Sequence, residues 1–153
     1  MVPTLIMKNI LILSAILLAA PAAASQEPDS AAAKILGQWL TAGGESRIEI
    51  SLSDSVTYCG RIVWLRDPLK NGKPAEDDKN PDESLRTRPV MGIELLRRFT
   101  YAGDGVWSGG KIYDPKSGND YSAKMTLVDG QTLDLRGYVI IPLFGRTERW
   151  TRP

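Results

Sequence analysis

The sequence predicts an all-β fold of about eight antiparallel strands closed into an up-and-down barrel. Three observations predict it. Beyond residue 35, apolar side chains recur at every second position in short runs, the pattern of strands with one face buried and one wet. Gly, Asp and Pro punctuate those runs at hairpin spacing. No sustained 3.6-residue period follows Lys34. Closure also leaves no strand edge to protect. It suits a chain whose single cysteine, Cys59, allows no intramolecular disulfide and is expected as a small buried side chain.

The chain has 153 residues, and its first 24 do not read as domain. Lys8 supplies a positive start, Ile10 to Ala20 is apolar apart from Ser14, and Ala22-Ala23-Ala24 offers a small-residue cleavage site. This is the layout of a secretory signal peptide over 1–24. The apolar run is shorter than the roughly 20 residues needed to span a bilayer. A periplasmic or secreted product follows, and not a lipoprotein, because Cys59 lies far from the cleavage site. Residues 25–34 are small, polar and proline-containing, a flexible lead-in with one helical turn expected through Ala31-Ala32-Ala33. The barrel domain is then 35–153.

Eight strands are expected within it: 37–42, 46–52, 58–65, 93–101, 106–113, 119–128, 132–138 and 146–151. Gly92 to Arg98 also fits a short helix. Ile48, Ile50 and Leu52 alternate with polar residues, as do Tyr121, Ala123, Met125 and Leu127. Asp104-Gly105 and Asp129-Gly130 mark tight hairpins that tolerate positive φ. Asp114-Pro115 to Gly118 marks a wider turn. Two segments break the rhythm. Residues 66–88 hold 12 charged residues and three prolines, a length that is usually functional or disordered. Val139 to Phe144 is wholly apolar, with Pro142 preventing simple strand pairing.

Composition narrows the function. There is no histidine, which removes Ser-His-Asp and Cys-His catalysis and makes zinc or copper sites unexpected. Without Lys8 the remaining chain carries 18 basic and 18 acidic residues, so no field favours nucleic acid or an anionic membrane. Asp77, Asp78 and Asp82 lack the regular spacing and closing Glu of a calcium loop. Asp114 and Asp120 flank a turn without the marks of a hydrolytic pair. No metal, cofactor or enzymatic activity is expected.

Gly37-Gln38-Trp39 in the first strand, with Arg149 and Arg152 near the last, resembles the calycin pattern of lipocalins and avidins. That resemblance implies a tryptophan at the closed end with one arginine packed across it, and parity leaves open which. Further motifs are Gly60-Arg61-Ile62-Val63-Trp64, Asn80-Pro81-Asp82, Leu85-Arg86-Thr87-Arg88-Pro89 and Gly110-Lys111-Ile112-Tyr113-Asp114-Pro115. Tyr121 to Met125, Leu135 to Tyr138, Phe144 to Thr147 and Trp150-Thr151-Arg152 complete them. In this order they resemble the bacterial exported family termed domain of unknown function 2147. The resemblance implies an exported lipocalin-like barrel and brings no catalytic residues.

Parity places Tyr58, Trp64 and Tyr121 on the inner face beside Ile48, Ile50, Ile62, Met125 and Leu127. Gly60, Ala123, Gly110 and Gly137 share that lining, so the lumen is either filled or open to one small ligand. Arg86 and Arg88 suit a carboxylate or phosphate at the rim, or else they pair with Asp77, Asp78, Asp82 or Glu83 and pin the long loop. The 139–144 segment is expected to fold over the barrel mouth. A dimer contact and continuation of the strand into the core are the alternatives, and neighbouring charges do not favour a membrane. The leading expectation is a binding module for a small hydrophobic or amphipathic ligand. The alternative is an interaction module with a solid barrel and an envelope protein partner.

Overall fold

A computed structural model describes residues 30–153. The expected signal peptide and residues 25–29 of the lead-in lie outside the described residues. A 3-10 turn at Ala32–Ile35 precedes β1 (Gly37–Leu40), β2 (Ser46–Leu52) and β3 (Thr57–Leu65). The long loop contains a small hairpin, β4 (Leu69–Lys70) and β5 (Lys73–Pro74). Then come β6 (Glu94–Gly103), β7 (Val106–Asp114), β8 (Asn119–Asp129), β9 (Thr132–Tyr138) and β10 (Gly145–Thr151). Eight strands close an antiparallel barrel in the order β1-β10-β9-β8-β7-β6-β3-β2, and β4 and β5 form a separate two-stranded ribbon. Every barrel strand pairs with its neighbour in sequence, apart from the long insertion between β3 and β6 and the closure of β1 on β10. Residues 94–98 are strand, so the helical alternative there is excluded. No helix among the described residues is long and apolar enough to cross a membrane.

Turn chemistry follows the sequence at one hairpin and departs from it at another. Asp104 and Gly105 both adopt positive φ, 50° and 69°, as their tight connection requires. At 129–131 Gly130 does not. There the Asp129 side chain accepts the Gln131 N–H at 2.8 Å and holds the bend itself.

One end of the barrel is solid. The 53–56, 104–105 and 130–131 turns lie there, with the Ala32–Ile35 turn and Arg152. Trp39 is fully buried, donates its indole N–H to the Ile35 carbonyl at 2.7 Å, and carries the Arg152 guanidinium 3.8 Å from its ring centroid. The same guanidinium donates to the carbonyls of Lys34, Leu36 and Gln38, sewing the start of the barrel to its end. Inside, Tyr58 meets Trp107 edge-on at 6.1 Å, and Tyr101 lies 4.9 Å from the same indole. A Cβ at Gly110 would collide with the Phe99 ring, and one at Gly60 would collide with Ile48 and Leu96. These glycines make room for large neighbours; they do not leave space.

Candidate functional site

The other end is hollow. A cavity of about 800 Å³ opens among the 41–45 loop, the 115–118 turn, the 139–144 segment and the bend after β3. Its wall is apolar: Ile62 and Leu65 from β3, Leu95 from β6, Ile112 from β7, Tyr121 from β8 and Leu135 from β9, with Trp150 of β10. Gly137 of β9 faces this space with no side chain. A Cβ there would sit 3.7 Å from Ile112 and 3.8 Å from Tyr121, ordinary contact distances.

The rim is charged. Lys116 pairs with Glu45 across the mouth. The hydrogen bond and charge of Lys116 hold the Glu45 carboxyl below its usual range, and Glu45 in turn raises Lys116. Asp114 is occupied with its own turn, accepting the Lys116 N–H at 3.0 Å and the Ser117 hydroxyl at 2.7 Å. Glu148 accepts the Trp150 indole N–H at 3.4 Å, and Arg66 donates to the Gly43 carbonyl. The Arg146 side chain lines the same cavity with no hydrogen bond or ion pair to any of the described residues.

The long charged loop forms a strap over the outside of the barrel. Its anchor is Asp77, 0 % exposed. That carboxylate accepts from the Arg88 guanidinium at 2.9 and 2.8 Å, Asn80 Nδ2 at 2.7 Å and the Tyr113 hydroxyl at 2.6 Å. Burial, reinforced by the hydrogen bond to Asp77, pushes the Tyr113 hydroxyl up to about 12. Ladder-like backbone bonds run within the strap, and Gly118 packs so closely on the Lys79 carbonyl that any side chain there would clash. Between strap and barrel lies an outer groove of about 500 Å³. Its three arginines are already neutralised within the chain: Arg61 by Glu94, Arg88 by Asp77 and Arg97 by Asp120. At the mouth, by contrast, the Arg146 side chain has no ion-pair partner among the described residues and lies beside an apolar wall.

The structure redistributes the residues expected from sequence. Tyr121 lines the cavity; Tyr58 is buried in the solid end. Trp64 is not in the lumen at all. The β2–β3 register slips between Arg47 and Ile48, so Ile48 faces Ile62 while Arg47 faces Trp64. The bulge at Val63 turns Trp64 to the outer face, 37 % exposed beneath the Arg47 guanidinium at 5.1 Å, and gives its inward place to Leu65. Arg86 and Arg88 do not reach the mouth. Arg86 donates to the Asn80 carbonyl and pairs with Glu83, so both arginines pin the strap. Asp78 pairs with Lys70 and Asp82 caps Ser84. Of the two closing arginines, Arg152 covers Trp39, while Arg149 lies on the outer surface in a two-pronged pair with Asp134.

The 139–144 segment also differs from expectation. Val139 and Phe144 reach the cavity rim, but Ile140, Leu143 and Phe144 are 91, 75 and 76 % exposed, so the mouth is left uncovered and the core alternative is excluded. The Arg136 guanidinium shapes this finger from below, donating to the Pro142 and Leu143 carbonyls. Arg146 escaped the sequence reading, although its parity with Trp150 was the signal that it faces inward.

Among known proteins, the family described as "Uncharacterized protein conserved in bacteria (DUF2147)" matches over residues 37–152. The fold is similar to that of Protein HP1028 from the human pathogen Helicobacter pylori, described as belonging to the lipocalin family. The TM-score is 0.68 at 22% sequence identity, covering 77% of this chain and 82% of that one. No curated protein matches.

Proposed function

We propose that this chain, which belongs to the DUF2147 family, is an exported, non-enzymatic binding module holding one small amphipathic molecule in the mouth of its barrel. The observation that carries the proposal is the half-hollow lumen, about 800 Å³ of apolar-walled space under a charged rim. That volume lies within the roughly 300–1,000 Å³ usual for small-molecule sites. Tyr121, Leu135 and Trp150 grip the apolar part, and the rim meets the polar part.

Gly137→Phe is the decisive variant. The new ring fills the cavity from a backbone position without a positive φ. Native mass spectrometry of protein purified from the periplasm should show a copurified small mass on the wild type and none on the variant. Retention of that mass by Gly137→Phe would place the ligand elsewhere. The exposed finger 139–144 favours a second reading, an interaction module. A wild type that carries no small mass but captures an envelope protein would support that reading instead.

A further inference from the structure

We infer that the molecule held in the mouth carries an anionic head group, a carboxylate or a phosphate, and that Arg146 receives it. This rests on the lumen-binding reading and adds the chemical class of the ligand. Seven charged side chains line the cavity, namely Glu45, Arg66, Asp67, Asp114, Lys116, Arg146 and Glu148. Most are occupied within the chain. Glu45 and Lys116 neutralise one another, Asp114 caps its own turn, Glu148 accepts from Trp150, and Arg66 is drawn to a backbone carbonyl.

Among the described residues two of these side chains remain without a bond, Asp67 and Arg146, and both are exposed; Asp67 lies in the bend after β3 and Arg146 on a barrel strand. Arg146 is fixed on β10. It shares the inward face with Glu148 and Trp150, and its cross-strand partner on β9 is Gly137, which lines the same cavity. A guanidinium so placed lies beside the free volume with all its donors available, and its fork matches the two oxygens of a carboxylate or phosphate. An apolar wall below a cation suits a chain with an anionic end. At Arg146 itself a cationic head group would set like charge against like.

The experiment uses four probes with the same alkyl chain: dodecanoate, dodecyl phosphate, dodecyltrimethylammonium and 1-dodecanol. Each is titrated into the full mature protein and read by isothermal calorimetry. The wild type should bind both anionic probes roughly tenfold or more tighter than the ammonium probe, as a charge-assisted hydrogen bond implies. That advantage should shrink with added salt. Arg146→Gln should collapse the selectivity for anions over 1-dodecanol, and Arg146→Lys should restore part of it. A preference for dodecanoate or for dodecyl phosphate identifies which anion the site takes. Unchanged selectivity in Arg146→Gln, with folding verified by circular dichroism, overturns the inference about the head group alone. Undiminished binding of all four probes to Gly137→Phe overturns the lumen reading on which it rests, as does failure of every probe to bind the wild type.

Discussion

The two ends of this barrel are built from the same alternating strands, yet one is solid and the other hollow. At the closed end the small residues are filled by their neighbours: Phe99 lies where a Gly110 side chain would be, and Ile48 with Leu96 crowd Gly60. At the mouth Ile112 and Tyr121 would meet a Gly137 Cβ only at ordinary contact distance, and with Leu135 they line a void. Alternation therefore sets which face looks inward, while the pairing of each glycine with a large or small cross-barrel neighbour sets whether the lumen is filled. Both designs described for such barrels, packed core and open lumen, coexist here along one axis.

The largest expected effect comes from attacking the closed end. Trp39→Ala should cost about 3–5 kcal/mol in chemical denaturation, as a buried aromatic deletion beside an ordered arginine. Tyr121→Ala at the mouth should cost clearly less, because its ring faces space that is already empty. Equal costs would mean that the two ends are packed alike.

The strap beside the mouth gives an intermediate effect. Tyr113→Phe removes one donor from the buried Asp77 carboxylate and should cost about 1–3 kcal/mol. It should also change the alkaline behaviour. The Tyr113 hydroxyl is raised from 10.0 to about 12 in the folded protein, so the native state keeps a proton that the unfolded chain releases. Its contribution is whole below pH 10 and fades as pH climbs through 12. The wild type should therefore lose stability over that window more steeply than Tyr113→Phe. Parallel pH profiles would show that the tyrosine does not hold the strap.

The smallest effect sharpens the closed end itself. In a double-mutant cycle, Arg152→Ala should couple to Trp39→Ala by about 0.5–2 kcal/mol, the range for a guanidinium over an indole. Arg149→Ala should add independently, since Arg149 belongs to Asp134 on the outer wall. Coupling through Arg149 would reverse the assignment.

The eight barrel strands were legible in the sequence to within two residues at each end, because period-two burial and turn residues are local signals, whereas the short β4–β5 ribbon inside the charged loop was not. The site was less legible, for reasons that particular residues expose. Trp64 keeps perfect alternation with Tyr58, Gly60 and Ile62 in the text, but one bulge at Val63 reverses parity beyond it. Bulges leave no reliable mark in side-chain pattern. In the sequence Arg86 and Arg88 read both as a rim clamp for a ligand and as partners of the loop carboxylates. Which of the two holds depends on Asp77, which becomes an anchor only once Tyr113 and Asn80 close around it. Arg146 directly follows the apolar 139–144 run and Gly145, and counting back in twos from Trp150 places it inside.

The Arg152 stitch has one more consequence. By donating to Lys34, Leu36 and Gln38, it brings both ends of the described chain to the floor of the cup, opposite the opening. A tether added after Pro153 thus holds the barrel by its base, with the aperture and the apolar finger at the far end.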